Sequence, residues 1–228
     1  MPFGRRRRLD RSVREKGVAP EPESRDREQT TTTGPYDVHD APEDSLLRID
    51  LGTLRIAPVT GGDLRLDVNK AGKIMSATLR HQGSAMQVGA FAAPRQGGIW
   101  SDVRAEILAT LGQQGGTGEE TKGAFGTELA AKLAMKQGPQ PARFIGVDGP
   151  RWFLRALITG PAATDDGAAK PFEQALRQII VVRGSEPMPV REQLPLRLPT
   201  DPRESQPAEA DSDSDSDSAD QADQANQR

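Results

Sequence analysis

The sequence contains no cysteine, and only two of its 228 residues, His39 and His81, are histidines. The absence of cysteine excludes disulfide bonds and thiol chemistry, and it suits a reducing compartment. Zinc and iron sites draw mainly on Cys and His ligands, so we expect no metal site. A Ser-His-Asp triad would have to use one of these two histidines, and no G-x-S-x-G motif is present. We therefore assign no catalytic residue, no metal ligand and no cofactor.

Long apolar runs are also missing from the sequence. No stretch approaches the roughly 18 consecutive apolar residues of a membrane-spanning helix. The basic segment at residues 5–8 is not followed by the apolar core of a secretory signal. We therefore expect no membrane span and no secretion signal. Aromatic residues make up only 4% of the chain, so burial must depend mainly on Leu, Ile, Val and Ala.

The two ends of the chain have few apolar residues and differ in charge. Residues 1–35 begin with a basic run, and residues 201–228 are acidic with Asp-Ser repeats. Low hydrophobicity combined with dense charge predicts disorder in both segments. We expect any association of the basic head with nucleic acid or anionic lipid to be weak. Its candidate anion contacts are Arg5, Arg6, Arg7 and Arg8.

The strongest β signal lies at residues 143–160, where two apolar runs flank a Val-Asp-Gly-Pro sequence. Alternation in the second run places Trp152 on one apolar face and Arg155 on the opposite, mixed face. We expect this hairpin to organise the core. Pro150 has no N–H to close a two-residue turn, which favours a loop of about three to four residues. The candidate ligand contacts near this loop are Asp148, Arg151 and Arg155.

Two segments show helical spacing. Residues 100–111 repeat apolar side chains at the helical period, with Ser101 as the predicted N-cap and Gly112 as the stop. A second helix is predicted over residues 168–180. The glycine-rich segment 112–126 is predicted to be a loop, and it lacks the Gly-Lys-Ser/Thr order of a phosphate-binding loop. Residues 127–136 are compatible with either strand or helix.

These patterns predict one α+β domain over residues 36–190, followed by an extended surface strip at 191–200. Its main sheet is expected to be mainly antiparallel, with about seven to eight strands and two packed helices. The predicted order is four strands, a helix, three strands and a helix, with a final short strand as an option. The predicted core residues are Trp100, Val103, Ile107, Trp152, Leu154, Ile158, Phe172 and Leu176.

Several strings resemble a known family. They include GPYDV (34–38), GVDGPRWFLRALITG (146–160) and LPLRLP (194–199). These strings are similar to the actinobacterial family called domain of unknown function 3710, and the resemblance covers about residues 34–199. It implies a bacterial, cytoplasmic protein and favours a strand over 127–136. It supplies no activity, cofactor or catalytic residue.

Three functional hypotheses follow. The first is a non-enzymatic binding or adaptor module with a protein partner, acting through one sheet face or through residues 194–199. The second is a small-molecule binder or enzyme that uses a cleft near the GVDGPRW loop. The third is weak electrostatic association with nucleic acid or anionic lipid through the arginine-rich head. No feature of the sequence decides the oligomeric state.

Overall fold

A computed structural model describes residues 33–95 and 98–199 of the chain. The helices are α1 (Trp100–Gln113), α2 (Asp166–Arg177) and a short 3-10 helix at Pro161–Ala163. Within residues 33–95 and 98–199, neither α1 nor α2 has the length and hydrophobicity that a membrane-spanning helix requires. The strands are β1 (Tyr36–Asp37), β2 (Ile49–Asp50), β3 (Leu54–Ile56), β4 (Asp63–Val68), β5 (Ile74–His81), β6 (Ser84–Ala92), β7 (Thr117–Gly123), β8 (Gly126–Met135), β9 (Gly138–Gly149), β10 (Trp152–Thr159) and β11 (Ile180–Val181).

Seven strands form one antiparallel sheet in the order β4-β5-β6-β10-β9-β8-β7. Strand β10 lies at its centre and pairs along all eight of its residues with β6 on one side and β9 on the other. The predicted α+β fold with a large antiparallel sheet and two helices is therefore confirmed. The predicted tails, including the four head arginines, lie outside the described residues except for residues 33–35.

The turn between β9 and β10 is tighter than the sequence predicts. Strand β9 ends at Gly149 and β10 begins at Trp152, which leaves Pro150 and Arg151 as the entire loop. Pro150 suits the first central position of a turn because its φ is already fixed near the required value. Arg151 adopts a φ of 63° at the second position, where Gly or Asn is usual. The expected loop of three to four residues is wrong because this left-handed residue closes the turn.

The first face of the large sheet carries the larger apolar cluster. Trp152, Leu154 and Ile158 of β10 point to this face, and α2 closes it through Phe172 and Leu176. All five side chains are at most 1% exposed, as the period-two and helical patterns require. Helix α2 begins after Asp165, whose carboxylate accepts the N–H of Ala168 at 2.8 Å. The side chain of this cap fixes the start of the helix two residues earlier than the sequence predicts.

The second face carries a smaller cluster beneath α1. Trp100 of the helix stacks on Phe153 of β10, with ring centroids 5.8 Å apart. Trp100 is 2% exposed, and Val103 and Ile107 pack partly buried against the same cluster. Helix α1 packs on β7, β8 and β9 and so covers one half of this face.

A smaller mixed sheet closes the first face beside α2. Its order is β1-β11-β3-β2, with β1 parallel to β11 and the other pairs antiparallel. Leu51, Leu54 and Ile56 are fully buried in the larger cluster. The small sheet is therefore held by apolar packing as well as by its few ladder hydrogen bonds.

The extended strip, described over residues 191–199, forms backbone hydrogen bonds with the end of β6. The backbone N–H groups of Arg191 and Leu194 donate to the carbonyls of Ala92 and Ala90, at 2.7 and 2.9 Å. Leu194 and Leu196 are 1% and 7% exposed, whereas Leu198 is 69% exposed. Of the three leucines in this strip, only Leu198 is available to a partner.

The observed secondary structure differs from the prediction in two places and decides one alternative that the sequence left open. The glycine-rich segment 112–126 contains strand β7, because pairing with β8 compensates for its weak β propensity. In the segment 127–136, which is compatible with either strand or helix, residues 127–135 belong to strand β8. Six strands instead of four precede α1, because β1 and β2 have two residues each and are too short to give a periodic pattern. Four strands instead of three separate the helices, because β7 lies in the glycine-rich segment.

Candidate functional site

The three candidate residues of the central hairpin do not form one site. Asp148 is 7% exposed beneath α1, on the second face of the sheet. Arg151 lies in the two-residue turn and lines a cleft there. Arg155 lies on the half of the second face that α1 does not occupy, in a small pocket. Each therefore has a different environment and a different role.

Asp148 caps helix α1 from a distant strand. Its carboxylate accepts the backbone N–H of Ile99 at 2.9 Å and of Trp100 at 3.2 Å. Ile99 holds the N-cap position without a side-chain hydrogen bond, so β9 supplies the acceptor that a Ser or Asp usually supplies. The negative charge also lies at the positive end of the helix dipole. The prediction that Ser101 caps this helix is wrong, because Ser101 lies inside it.

The remaining half of the second face is formed by β4, β5, β6 and the adjoining side of β10, and we call it the open half. Arg155 lies opposite Gly89 in the β10–β6 register, and Leu157 lies opposite Gln87. Because Gly89 has no side chain, a cavity of about 210 Å³ lies beside Arg155. We call this cavity the Arg155 pocket. Its lining residues are Met75, Ser76, Gln87, Gly89, Phe91, Arg155, Leu157 and Gln193.

Arg155 brings a partly buried positive charge to this pocket. Its guanidinium carbon lies 5.1 Å from the centroid of the Phe91 ring, within cation–π distance. Burial lowers the pKa of Arg155, which means that its charge is incompletely solvated. In the described part of the chain, no carboxylate pairs with it. An acidic group that entered the pocket would restore the missing interactions.

A polar network lies beside the pocket on the same face. The carboxylate of Asp67 accepts hydrogen bonds from Ser76 at 2.6 Å, Thr78 at 2.7 Å and Gln87 at 3.2 Å. Partial burial acts to raise the pKa of Asp67, but these three hydrogen bonds outweigh it and lower the pKa below its usual value. Asp67 therefore stays ionised and positions Gln87 beside Arg155.

A second cavity, of about 590 Å³, lies at the β9–β10 turn, and we call it the Arg151 cleft. It is lined by residues 37–40, 150–151 and 182–185. Arg183, which the sequence analysis did not select, joins Arg151 there. Its Nε–H donates to the carbonyl of Arg151 at 3.2 Å, and its Nη1–H donates to the carbonyl of Glu186 at 3.1 Å. The cleft therefore corresponds to the region predicted near the GVDGPRW loop.

The structure also shows an ion-pair cluster on the first face that the sequence analysis missed. Arg143 of β9 pairs with Glu128 of β8 at 2.5 Å and with Glu173 of α2 at 2.8 Å. The side chain of Glu128 is only 1% exposed. Burial acts to lower the pKa of Arg143, but the two carboxylates outweigh it and raise the pKa. This cluster links α2 to the sheet. Its members come together through the register of the strands, which cannot be predicted from local sequence patterns.

Comparison of the sequence with protein-family models identifies the family. A family model described as a protein of unknown function, DUF3710, matches residues 34–205, well over half of the chain. The chain belongs to this family. The DUF3710 match confirms the resemblance drawn from the motifs, while the actinobacterial origin and the cytoplasmic location stay predictions. Searches of curated proteins and of solved structures each returned no match.

The DUF3710 region contains every residue of the Arg155 pocket and of the Arg151 cleft. Gln87, Gly89 and Phe91 occupy alternate positions of β6, so their side chains lie on the same face of the sheet. This alternation is visible in the sequence and could have identified Gln87 and Phe91 as neighbours of the pocket. Arg183 gave no comparable signal, because its position beside Arg151 depends on how β11 pairs with β3.

Proposed function

We propose that this protein is a non-enzymatic binding or adaptor module, and that the Arg155 pocket receives an acidic side chain of a protein partner. One observation carries the proposal. Arg155 is a partly buried cation on an aromatic ring, without a carboxylate partner in the described part of the chain. The proposal keeps the bacterial, cytoplasmic setting that the family resemblance implies.

The size of the pocket supports recognition of a single side chain. Its volume of about 210 Å³ lies below the roughly 300–1,000 Å³ of small-molecule sites. Met75 is 38% exposed beside it, and Gln87 and Gln193 add polar groups to the lining. Arginine and aromatic anchors surrounded by less critical contacts are typical of protein interface hot spots.

The electrostatics of the open half support binding over catalysis. General acid–base catalysis works best when the pKa of the catalytic group lies near the working pH. Asp67, the carboxylate beside the pocket, has a lowered pKa and already accepts three hydrogen bonds. These properties suit a fixed negative charge that orders its neighbours.

A small-molecule binder near the GVDGPRW loop is a second candidate, and the Arg151 cleft favours it. Its volume of about 590 Å³ falls within the range of small-molecule sites. The third hypothesis, weak association with nucleic acid or anionic lipid through the arginine-rich head, concerns residues outside the described part of the chain and stays a prediction.

Affinity capture from an extract of the source cells tests the adaptor proposal. Arg155→Met removes the charge, and Gly89→Val fills the pocket. A Cβ added at Gly89 would lie 3.5 Å from its nearest neighbours in Phe91, an ordinary contact, so this variant should fold. Arg55→Met, on the small sheet, is the matched control.

The wild type and Arg55→Met are expected to capture the same proteins, and both pocket variants are expected to lose them. Equal capture by all four forms, or no specific capture by the wild type, would contradict the proposal.

A further inference from the structure

The Arg151 cleft is held open by contacts between three segments that are distant in sequence. The N–H of Val38 donates to the carbonyl of Val181 at 3.0 Å, and the indole N–H of Trp152 donates to Asp37 at 2.8 Å. The Nε–H of Arg183 donates to the carbonyl of Arg151 at 3.2 Å. These bonds fix residues 37–40, the turn and residues 182–185 relative to one another. The cavity is therefore preformed.

The cleft carries two positive charges that lie close together. Burial lowers the pKa of Arg183, and the charge of Arg151 lowers it further, so the two guanidinium groups are near enough to repel each other. In residues 33–95 and 98–199, neither arginine pairs with a carboxylate. Arg183 donates to backbone carbonyls, which leave its charge in place. An anion shared by both arginines would relieve this repulsion.

The acidic residues of the cleft are engaged elsewhere or exposed to solvent. The carboxylate of Asp37 accepts the indole N–H of Trp152 and, at 3.1 Å, the backbone N–H of His39. Asp37 is thus part of the wall of the cleft. Asp40 and His39 are exposed to solvent. Neither carboxylate pairs with Arg151 or Arg183, so both guanidinium groups lack an anionic partner within the lining.

Arg151 occupies a position that its backbone makes unfavourable. Its φ of 63° is the left-handed value that Gly and Asn adopt most readily. Any other residue held there is strained, and such residues cluster at functional sites. The presence of arginine at this position is explained if its side chain has a binding role.

From the cavity, its paired arginines and the strained turn, we infer that the Arg151 cleft binds a small organic oxyanion. The ligand would be a carboxylate or phosphate attached to an apolar body. Its anionic group would lie between Arg151 and Arg183, because guanidinium groups bind such oxyanions through paired hydrogen bonds. Its apolar body would contact Val38, Pro150 and Val182, which also line the cleft. This inference rests on the second candidate function, a small-molecule binder at the Arg151 cleft, and does not depend on the adaptor proposal for the Arg155 pocket.

Calorimetric titration of the full chain with phenyl phosphate and with phenylacetate tests this inference. Arg151→Gly removes the guanidinium and places the favoured residue at the left-handed position, so it should fold, which circular dichroism checks. Arg151→Lys keeps a positive charge. Arg65→Ala, whose arginine has a side chain 63% exposed on β4, is the matched control.

At least one probe is expected to bind the wild type with a dissociation constant between about 1 μM and 1 mM. Arg151→Gly should weaken binding at least tenfold, Arg151→Lys should weaken it less, and Arg65→Ala should leave it unchanged. Preference for phenyl phosphate would identify the phosphate class, and preference for phenylacetate the carboxylate class. Failure of both probes to bind at about 10 mM, or equal binding by folded Arg151→Gly and the wild type, would overturn the inference.

Discussion

Trp152 joins the central hairpin to the N-terminal part of the domain, and its substitution tests the packing. The side chain is 1% exposed, and its indole N–H donates at 2.8 Å to Asp37, which is 8% exposed. Trp152→Ala removes the ring and leaves a cavity, at a cost of about 3–5 kcal/mol. Loss of a hydrogen bond to a charged group adds roughly 1.5–3 kcal/mol. The sum of about 4.5–8 kcal/mol approaches the whole stability of a typical domain, so this variant should be largely unfolded.

Trp152→Phe gives the quantitative measurement, because it keeps most of the apolar contact and removes the N–H. We expect it to cost about 2–4 kcal/mol. In an Asp37→Ala background the indole already lacks its acceptor, so the same substitution should cost about 1–2 kcal/mol less. Arg151→Ala, at the neighbouring and partly exposed position, should cost under about 1 kcal/mol.

Urea unfolding followed by far-ultraviolet circular dichroism measures these differences, since tryptophan fluorescence would itself change with the substitution. Equal, small losses for Trp152→Ala and Arg151→Ala would refute the buried position of the ring. Identical costs of Trp152→Phe in the two backgrounds would refute its hydrogen bond to Asp37.

Four further substitutions, one of them a control, test individual contacts. Asp148→Ala should cost about 2–4 kcal/mol in urea unfolding, because it leaves two N–H groups of the α1 terminus without an acceptor; a loss below about 0.5 kcal/mol would contradict the cap. Asp67→Asn should destabilise the protein near pH 7. Because the folded-state pKa of Asp67 is lowered, the stability that it contributes is present above its usual pKa of 3.8 and is lost as the pH falls through the folded value. A difference that persists in strong acid would argue against this ionised role. Gly146→Ala should be strongly destabilising, because the added Cβ would overlap the Trp100 ring. The control Gly112→Ala meets open space and should change stability by under about 1 kcal/mol. Similar melting temperatures for the two variants would contradict this packing.

The parts of the fold that short-range patterns encode were predictable. Alternation identified β10 and its apolar face, and helical spacing identified α1. Strands β1, β2 and β11 have two residues each, so pairing and packing define them and no local pattern does. The glycine-rich β7 has weak β propensity and is a strand because β8 lies beside it.

The candidate site was predictable only in part. Arg155 stands out in the sequence because a charge interrupts an apolar run. Its pocket depends on Gly89 across the β10–β6 register and on the position of α1, neither of which local patterns specify. Asp148 was also predicted to contact a ligand. Its role instead follows from a hydrogen bond with Ile99, 49 residues away along the chain. The different roles of the two residues, a helix cap for Asp148 and the proposed binding role for Arg155, therefore depend on strand register and on where α1 packs.

Site-specific photo-cross-linking in the source cells tests most directly whether the Arg155 pocket receives a protein partner. Benzoylphenylalanine replaces Gln87 beside the pocket or, as a control, Met135, which is 54% exposed on β8. The account predicts a discrete cross-linked product from Gln87 that disappears with Arg155→Met and with Gly89→Val, and no such product from Met135. A product from Gln87 that persists in both pocket variants would contradict the account.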